Sequence, residues 1–187
     1  MNKSEEYIKK YKEIHADNTK LFHVRGSGTQ DFVYGDGLCF LQSVTPYMFE
    51  HIENKRRAIT VLDYGCGKAR HIHDPKYKFY RIELSDPNFF SMMQGLVQCY
   101  YCYDPAVTRY SQKPPQGWQF DFVGCADVLE HVPEEHLEET IKELSSYTKP
   151  DGLIVLTVSG NESFAHFLNP DNTQGENLHI TIKPRNW

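Results

Sequence analysis

Hydrophobic and polar positions in this chain follow a helical period at first. Tyr7, Ile8, Tyr11 and Ile14 recur at helical spacing, with Ser4 as a cap and Glu5 and Glu6 in the first turn. That predicts a surface helix from residue 4 to about 17, lying over a pocket or a sheet edge. Residues 21–37 set Gly26, Gly28, Gly35 and Gly37 among polar and aromatic side chains, a pattern for a loop or short hairpin. Leu41, Val44, Met48 and Ile52 restore the helical period between Leu38 and about Arg57, with Pro46 placed to start or kink the helix. Lys55-Arg56-Arg57 closes it and reads as a solvated end favoured by the helix dipole.

The pattern then shifts to strands. Ile59, Val61 and Leu62 suit a strand covered on both faces, running into Asp63-Tyr64-Gly65-Cys66-Gly67-Lys68. Two glycines there allow a tight turn and close backbone approach to a ligand. Ala69 to Ser85 has no clean period and reads as an extended loop, and Asp86-Pro87 opens a short helix that ends near Gly95. Leu96 to Tyr103 is the second predicted strand, ended by Asp104-Pro105, and Lys113-Pro114-Pro115-Gln116-Gly117 is a turn-rich connection. Phe120 to Ala126 is the third strand. After Asp127-Val128-Leu129-Glu130-His131-Val132-Pro133 comes an amphipathic helix with Glu134 and Glu135 in its first turn and Leu137, Ile141 and Leu144 facing the sheet. It stops at Lys149-Pro150-Asp151-Gly152, and Leu153 to Val158 is an apolar strand. Strands alternating with helices predict an α/β fold: a three-layer, mostly parallel sheet with right-handed crossovers. Ligands of such sheets bind beyond the carboxyl ends of the strands, where Asp63, Gly65, Asp104, Asp127, Glu130 and Ser159 fall.

Composition narrows this. With 187 residues, 40% of them hydrophobic and 24% charged, the chain suits one globular domain with a proper core. A net charge of -5 disfavours a protein that lives on nucleic-acid backbone. Twelve Tyr and eleven Phe suit core packing ahead of a pocket for a flat substrate. No apolar run is long enough to span a bilayer, and the start lacks a signal-peptide centre, which points to the cytosol and to no membrane partner. Five cysteines, an odd number in apolar or strand-like sequence, read as reduced and mostly buried. Cys99 and Cys102 form a CxxC with no second pair, a packing feature rather than a zinc or redox site.

The glycine loop does not fit a dinucleotide fingerprint. Arg70 stands where a third glycine belongs, and the acid ending the next strand, Asp104, lies much further on than the roughly 20 residues a ribose acid would need. GxxxxGK[ST] is absent as well. Four segments in order instead resemble the class I S-adenosylmethionine-dependent methyltransferases, most closely the small bacterial and bacteriophage members. These are Asp63-Tyr64-Gly65-Cys66-Gly67, Tyr103-Asp104-Pro105, Asp127 to Pro133, and Lys149-Pro150-Asp151-Gly152, with Asn177-Leu178-His179-Ile180-Thr181 downstream.

The resemblance implies that S-adenosylmethionine is bound by Asp63, Tyr64, Gly65, Cys66, Gly67, Asp104, Pro105, Asp127, Val128 and Leu129. Backbone at Gly65 and Gly67 would lie against the methionine part. Asp63 would orient the loop or meet the ammonium, or else cap its own turn; Asp104 would accept the ribose hydroxyls, or else start an Asp-Pro turn. Asp127, Glu130 and His131 at i, i+3 and i+4 would share a face if the backbone turns helically. With His179 they resemble the divalent-cation site of ubiquinone-pathway O-methyltransferases and of small-RNA 3′-terminal 2′-O-methyltransferases, which usually carry Glu where this chain has Asp127. Without a metal, Asp127 and Glu130 would bond backbone amides and His131 would pack or act as base, His131 and Glu130 being the candidate catalytic pair. His71 and His73 read as solvent-facing loop residues.

The acceptor implied is a small hydroxylated or aminated molecule or a polymer end. The absence of an Asn-Pro-Pro-Tyr type sequence after the strand disfavours DNA base methylation. The expected organisation is a helical cap over 1–57, a cofactor-binding core over 58–160 and a substrate-side segment over 161–187, in which residues 178–182 alternate as one strand. The sheet is then shortened at its C-terminal end, and its exposed edge needs a helix, a loop or a second subunit as cover. Two other functions remain open: a non-catalytic S-adenosylmethionine-binding regulatory module, and a metal-dependent RNA 3′-end methyltransferase.

Overall fold

The computed structural model describes residues 3–16, 21–23, 31–33, 37, 40–73 and 93–158. Helix α1 spans Lys3–Ala16, as its period predicts. Strands β1 (Leu21–His23) and β2 (Asp31–Val33) pair antiparallel with Leu21 opposite Val33, the short hairpin of the two alternatives. A π-helical turn, Phe40–Val44, precedes α2, Thr45–Lys55. Pro46 sits in the first turn of α2, where its missing N–H leaves no bond unmade. The helix stops where Arg56 turns left-handed at φ 51° and donates its N–H to the Ile52 carbonyl at 2.9 Å.

Strand β3 (Ile59–Tyr64) follows, then a single helical turn α3 (Arg70–His73), β4 (Val97–Tyr103), β5 (Phe120–Ala126), α4 (Leu137–Ser146) and β6 (Thr148–Thr157). The four long strands form one all-parallel sheet in the order β4-β3-β5-β6. Residues of β3 alternate between two cores. Ile59 and Val61 meet Phe40, Val44, Met48 and Phe122 beneath α2, while Leu62 and Tyr64 meet Val123, Leu137, Leu144 and Tyr147 beneath α4. Gly124 lies in β5 because a Cβ there would fall 2.3 Å from Phe40 Cε2. Helices on both faces of a parallel sheet give the three-layer α/β architecture.

Three expectations need correction. Ile141 is not buried against the sheet but 39% exposed; the buried residues of α4 are Leu137 and Leu144, with Tyr147 buried just past its end. Lys149 to Gly152 is not a turn before β6 but its first part: Thr148 pairs with Phe120, with an irregularity before Phe122. The Lys55-Arg56-Arg57 cluster is more than a solvated helix end. Lys55 pairs with Asp151, and Arg57 bonds the fully buried Asp121, which also accepts from Lys149 Nζ (3.0 Å), Thr60 N (2.9 Å) and Thr60 Oγ1 (2.9 Å).

Gly95 ends a turn at φ 80° with Leu96 N–H donating to Met93 O, matching the predicted helix end; the helix start at Asp86-Pro87 and the strand over 178–182 lie outside the described residues. Among the described residues no helix is long and apolar enough to cross a membrane.

Candidate functional site

The chain leaves β3 for β4 on one side and later returns to β5 on the other, so strand order reverses between β3 and β5. Loops diverge at such a point and leave a crevice beyond the strand ends. Gly65 follows β3 there at φ 78°, and a Cβ on it would lie 2.2 Å from Val128 Cγ2, so the loops after β3 and β5 touch across the reversal. Glycine is required at 65 by both its backbone and this neighbour.

The glycine loop is tightly curled. Gly65, Gly67 and Ala69 all have left-handed backbone, at φ 78°, 56° and 47°. The Tyr103 carbonyl accepts the N–H groups of Gly65 (2.7 Å) and Cys66 (3.1 Å), and Ala69 N–H closes back on Cys66 O (3.0 Å). Asp104, just past β4, clasps the loop: its Oδ2 accepts Gly67 N–H at 2.9 Å and its Oδ1 accepts Ala106 N–H at 2.8 Å. The turn-initiating reading of Asp104 is therefore correct at one oxygen. Each oxygen keeps a second lone pair for a ligand hydroxyl. Pro105 is half-buried beside it.

Other predicted residues point elsewhere. Asp63 projects from β3 into the α2 side and is 1% exposed, with Oδ2 accepting from the Tyr100 hydroxyl at 3.3 Å and lying 3.2 Å from His71 Nε2. Burial pushes its carboxyl above the usual carboxylate range, partly offset by His71 and Tyr100. Tyr64, on the opposite face, donates its hydroxyl to Glu143 of α4 at 3.0 Å; only its backbone lies at the loop. Cys66 is buried with its thiol pushed far up by burial and by a hydrogen bond with Cys102, an unreactive thiol. Cys99 and Cys102 are free and, three apart on β4, point to opposite faces.

Asp127, Glu130 and His131 do not share one face. Asp127 is left-handed at φ 52° and its carboxylate accepts from Thr157 Oγ1 of β6 at 2.8 Å. Leu129–His131 is a single 3-10 turn in which Leu129 and Glu130 are buried, each 2% exposed. His131 faces α1, its Nδ1 2.7 Å from the Tyr11 hydroxyl with ring centroids 5.2 Å apart. The left-handed residue breaks the helical turn that the spacing requires. Among the described residues no cluster of three or more His, Cys, Asp or Glu is placed to hold a metal ion. The expected divalent cation is not supported by this donor set, and His179 and Ser159 lie outside the described residues.

Sequence reasoning missed how α1 closes the site. Besides Tyr11 on His131, His15 feels the charges of the loop residues: burial pushes its imidazole below the usual value, the Asp104 charge opposes and the Lys68 charge reinforces. Helical spacing marked Tyr11 as part of an inward stripe but gave no partner. His71 was also misjudged. It is 1% exposed, in contrast to the exposed His73, whose Nε2 meets the Tyr110 hydroxyl at 2.8 Å.

The model of the methyltransferase domain family matches residues 36–182. No curated protein matches the chain.

Proposed function

Because the chain belongs to the methyltransferase domain family, we propose that it transfers the methyl group of S-adenosylmethionine to an oxygen or nitrogen of a small hydroxylated or aminated acceptor. The family and the parallel sheet of the class I type carry the coarser statement, an S-adenosylmethionine-dependent methyltransferase. When bound, S-adenosylmethionine supplies an activated methyl group on a sulfonium leaving group.

The observation that supports the site is the Asp104 clasp, a buried carboxylate that fixes Gly67 and keeps acceptor capacity on both oxygens. In this reading Asp104 takes the ribose hydroxyls, and the curled backbone at Gly65 and Gly67 lies along the methionine part. Val128 walls the crevice from the β5 side. The acceptor enters between the loop after β5 and α1, where His131 stands. In the tautomer whose Nδ1–H donates to the Tyr11 hydroxyl, Nε2 is the basic nitrogen that takes the acceptor proton, and a neutral imidazole has a suitable basicity near pH 7. Transfer itself asks chiefly for in-line placement, so proximity carries most of the acceleration.

Calorimetric titration with S-adenosylmethionine and with S-adenosylhomocysteine tests the binding half, and micromolar binding of both is expected. Binding of neither would sink the reading. Labelled methyl transfer into a mixed metabolite extract, unaffected by chelator, tests the rest.

A further inference from the structure

We infer that His71 is a positioning residue for methyl transfer: its Nε2, 3.2 Å from Asp63 Oδ2 and hydrogen-bonded to the Tyr100 hydroxyl, fixes the base of the glycine loop on which the cofactor rests. The inference rests on the reading of that loop as the S-adenosylmethionine site. Asp63 lies two residues before Gly65 and His71 two residues after Ala69, so their 3.2 Å contact joins the two ends of the curled segment. Both side chains are 2% exposed or less, in a dry setting where a polar contact is geometrically exacting. Tyr100 of β4 closes the triangle, 3.2 Å from His71 Nε2 and 3.3 Å from Asp63 Oδ2.

The imidazole is held from two further sides. Phe40 stacks on it, with centroids 5.5 Å apart and planes at 26°. Gly37 presses on its Nδ1 edge so closely that a Cβ at 37 would fall 1.8 Å away. Gly37 is itself fixed by its carbonyl, which accepts Leu41 N–H at 3.1 Å at the entry to the π-helical turn. His71 thus links the segment before α2 to the cofactor loop. Asp63 acts through it and is spent beneath the loop rather than on the ligand's ammonium. The Tyr103 carbonyl and Asp104 hold the loop at its crown, and the His71–Asp63 contact adds the hold at its base, where small displacements of a binding backbone are costly.

Titration calorimetry with S-adenosylhomocysteine tests this. His71→Phe keeps the ring and its stacking but loses the hydrogen bond, and at least tenfold weaker binding is expected, with partial recovery in His71→Gln. Gly37→Ala, which displaces the same ring, should weaken binding similarly, and the double variant should be no weaker than the worse single one. Ile52→Ala, a core truncation in α2, should lower thermal stability yet leave the affinity at the wild-type value. If His71→Phe does not fold, the Gly37→Ala and His71→Gln pair carries the same comparison. Wild-type binding with His71→Phe within twofold of it, additive effects of the two sites, or an equal loss in Ile52→Ala would each overturn the inference. Absence of wild-type binding would instead remove the cofactor reading, and this inference with it.

Discussion

Asp121 lies at the amino end of β5 and Asp63 near the carboxyl end of β3, and neither carboxylate is more than 2% exposed. Burial works to raise Asp121, but Arg57, Thr60 and Lys149 together outweigh it and hold its carboxyl well below the usual carboxylate range. Among the described residues Asp63 has no cationic Lys or Arg partner, its contacts being an imidazole and a phenol, and burial prevails. The first end of the sheet is neutralised and closed. At the other, Asp63, Asp104 and Asp127 are held by backbone amides, hydroxyls and a histidine. Of these, Asp104 keeps acceptor capacity on both oxygens, while Asp63 is spent on the base of the glycine loop. The difference matches an amino end built for stability and, in the function proposed above, a carboxyl end that takes the ligand, which is where open parallel sheets bind theirs.

The comparison breaks most sharply at Asp104. Asp104→Ala removes two charge-assisted bonds expected from the ribose, about 2–3 kcal/mol, on the order of a hundredfold in Kd for S-adenosylhomocysteine. Unchanged affinity would place the ribose acid elsewhere. Asp121→Ala should do the reverse: a loss of about 3 kcal/mol in urea-unfolding free energy from a broken buried network, with affinity intact below the transition.

The two acids should also give opposite pH slopes. A depressed native pKa contributes stability above the unfolded value near ~3.9 and loses it as pH falls through the native value. A raised one contributes below the unfolded value and loses it as pH rises through the native value. The stability difference between wild type and Asp121→Asn should therefore grow as pH rises out of the acid range, and that for Asp63→Asn should shrink. Slopes of the same sign would erase the distinction between the two ends. The smallest effect is expected for Ala69→Gly. Relief of about 1–2 kcal/mol of left-handed strain is offset by a lost buried methyl and by glycine's entropy, leaving stability within roughly 0.5 kcal/mol.

Much of this was legible in the residues. Period and punctuation placed α1, α2 and all four long strands, because hydrophobic alternation and Pro or Gly stops are local properties. Asp104 was found for the same reason, as an acid ending a strand. The shared face of Asp127, Glu130 and His131 did not form, because their spacing implies one only for helical backbone, and Asp127 is left-handed. His71 and Tyr11 were beyond reach of spacing, since their partners lie at Asp63 and Tyr100 and at His131, 120 positions from Tyr11 in the last case.

The sequence by itself determined the strand-helix alternation, the glycine loop, the acid after β4 and the kinship these carry, each being a property of a few consecutive residues. Only the tertiary structure decided which acids keep acceptor capacity beyond the strand ends and which are spent on the fold. That choice turns on backbone handedness at single residues and on contacts between distant segments: Gly37 on His71, Tyr11 on His131, Arg57 on Asp121. Folding makes such contacts only once the sheet has brought their bearers together, and no local pattern encodes them.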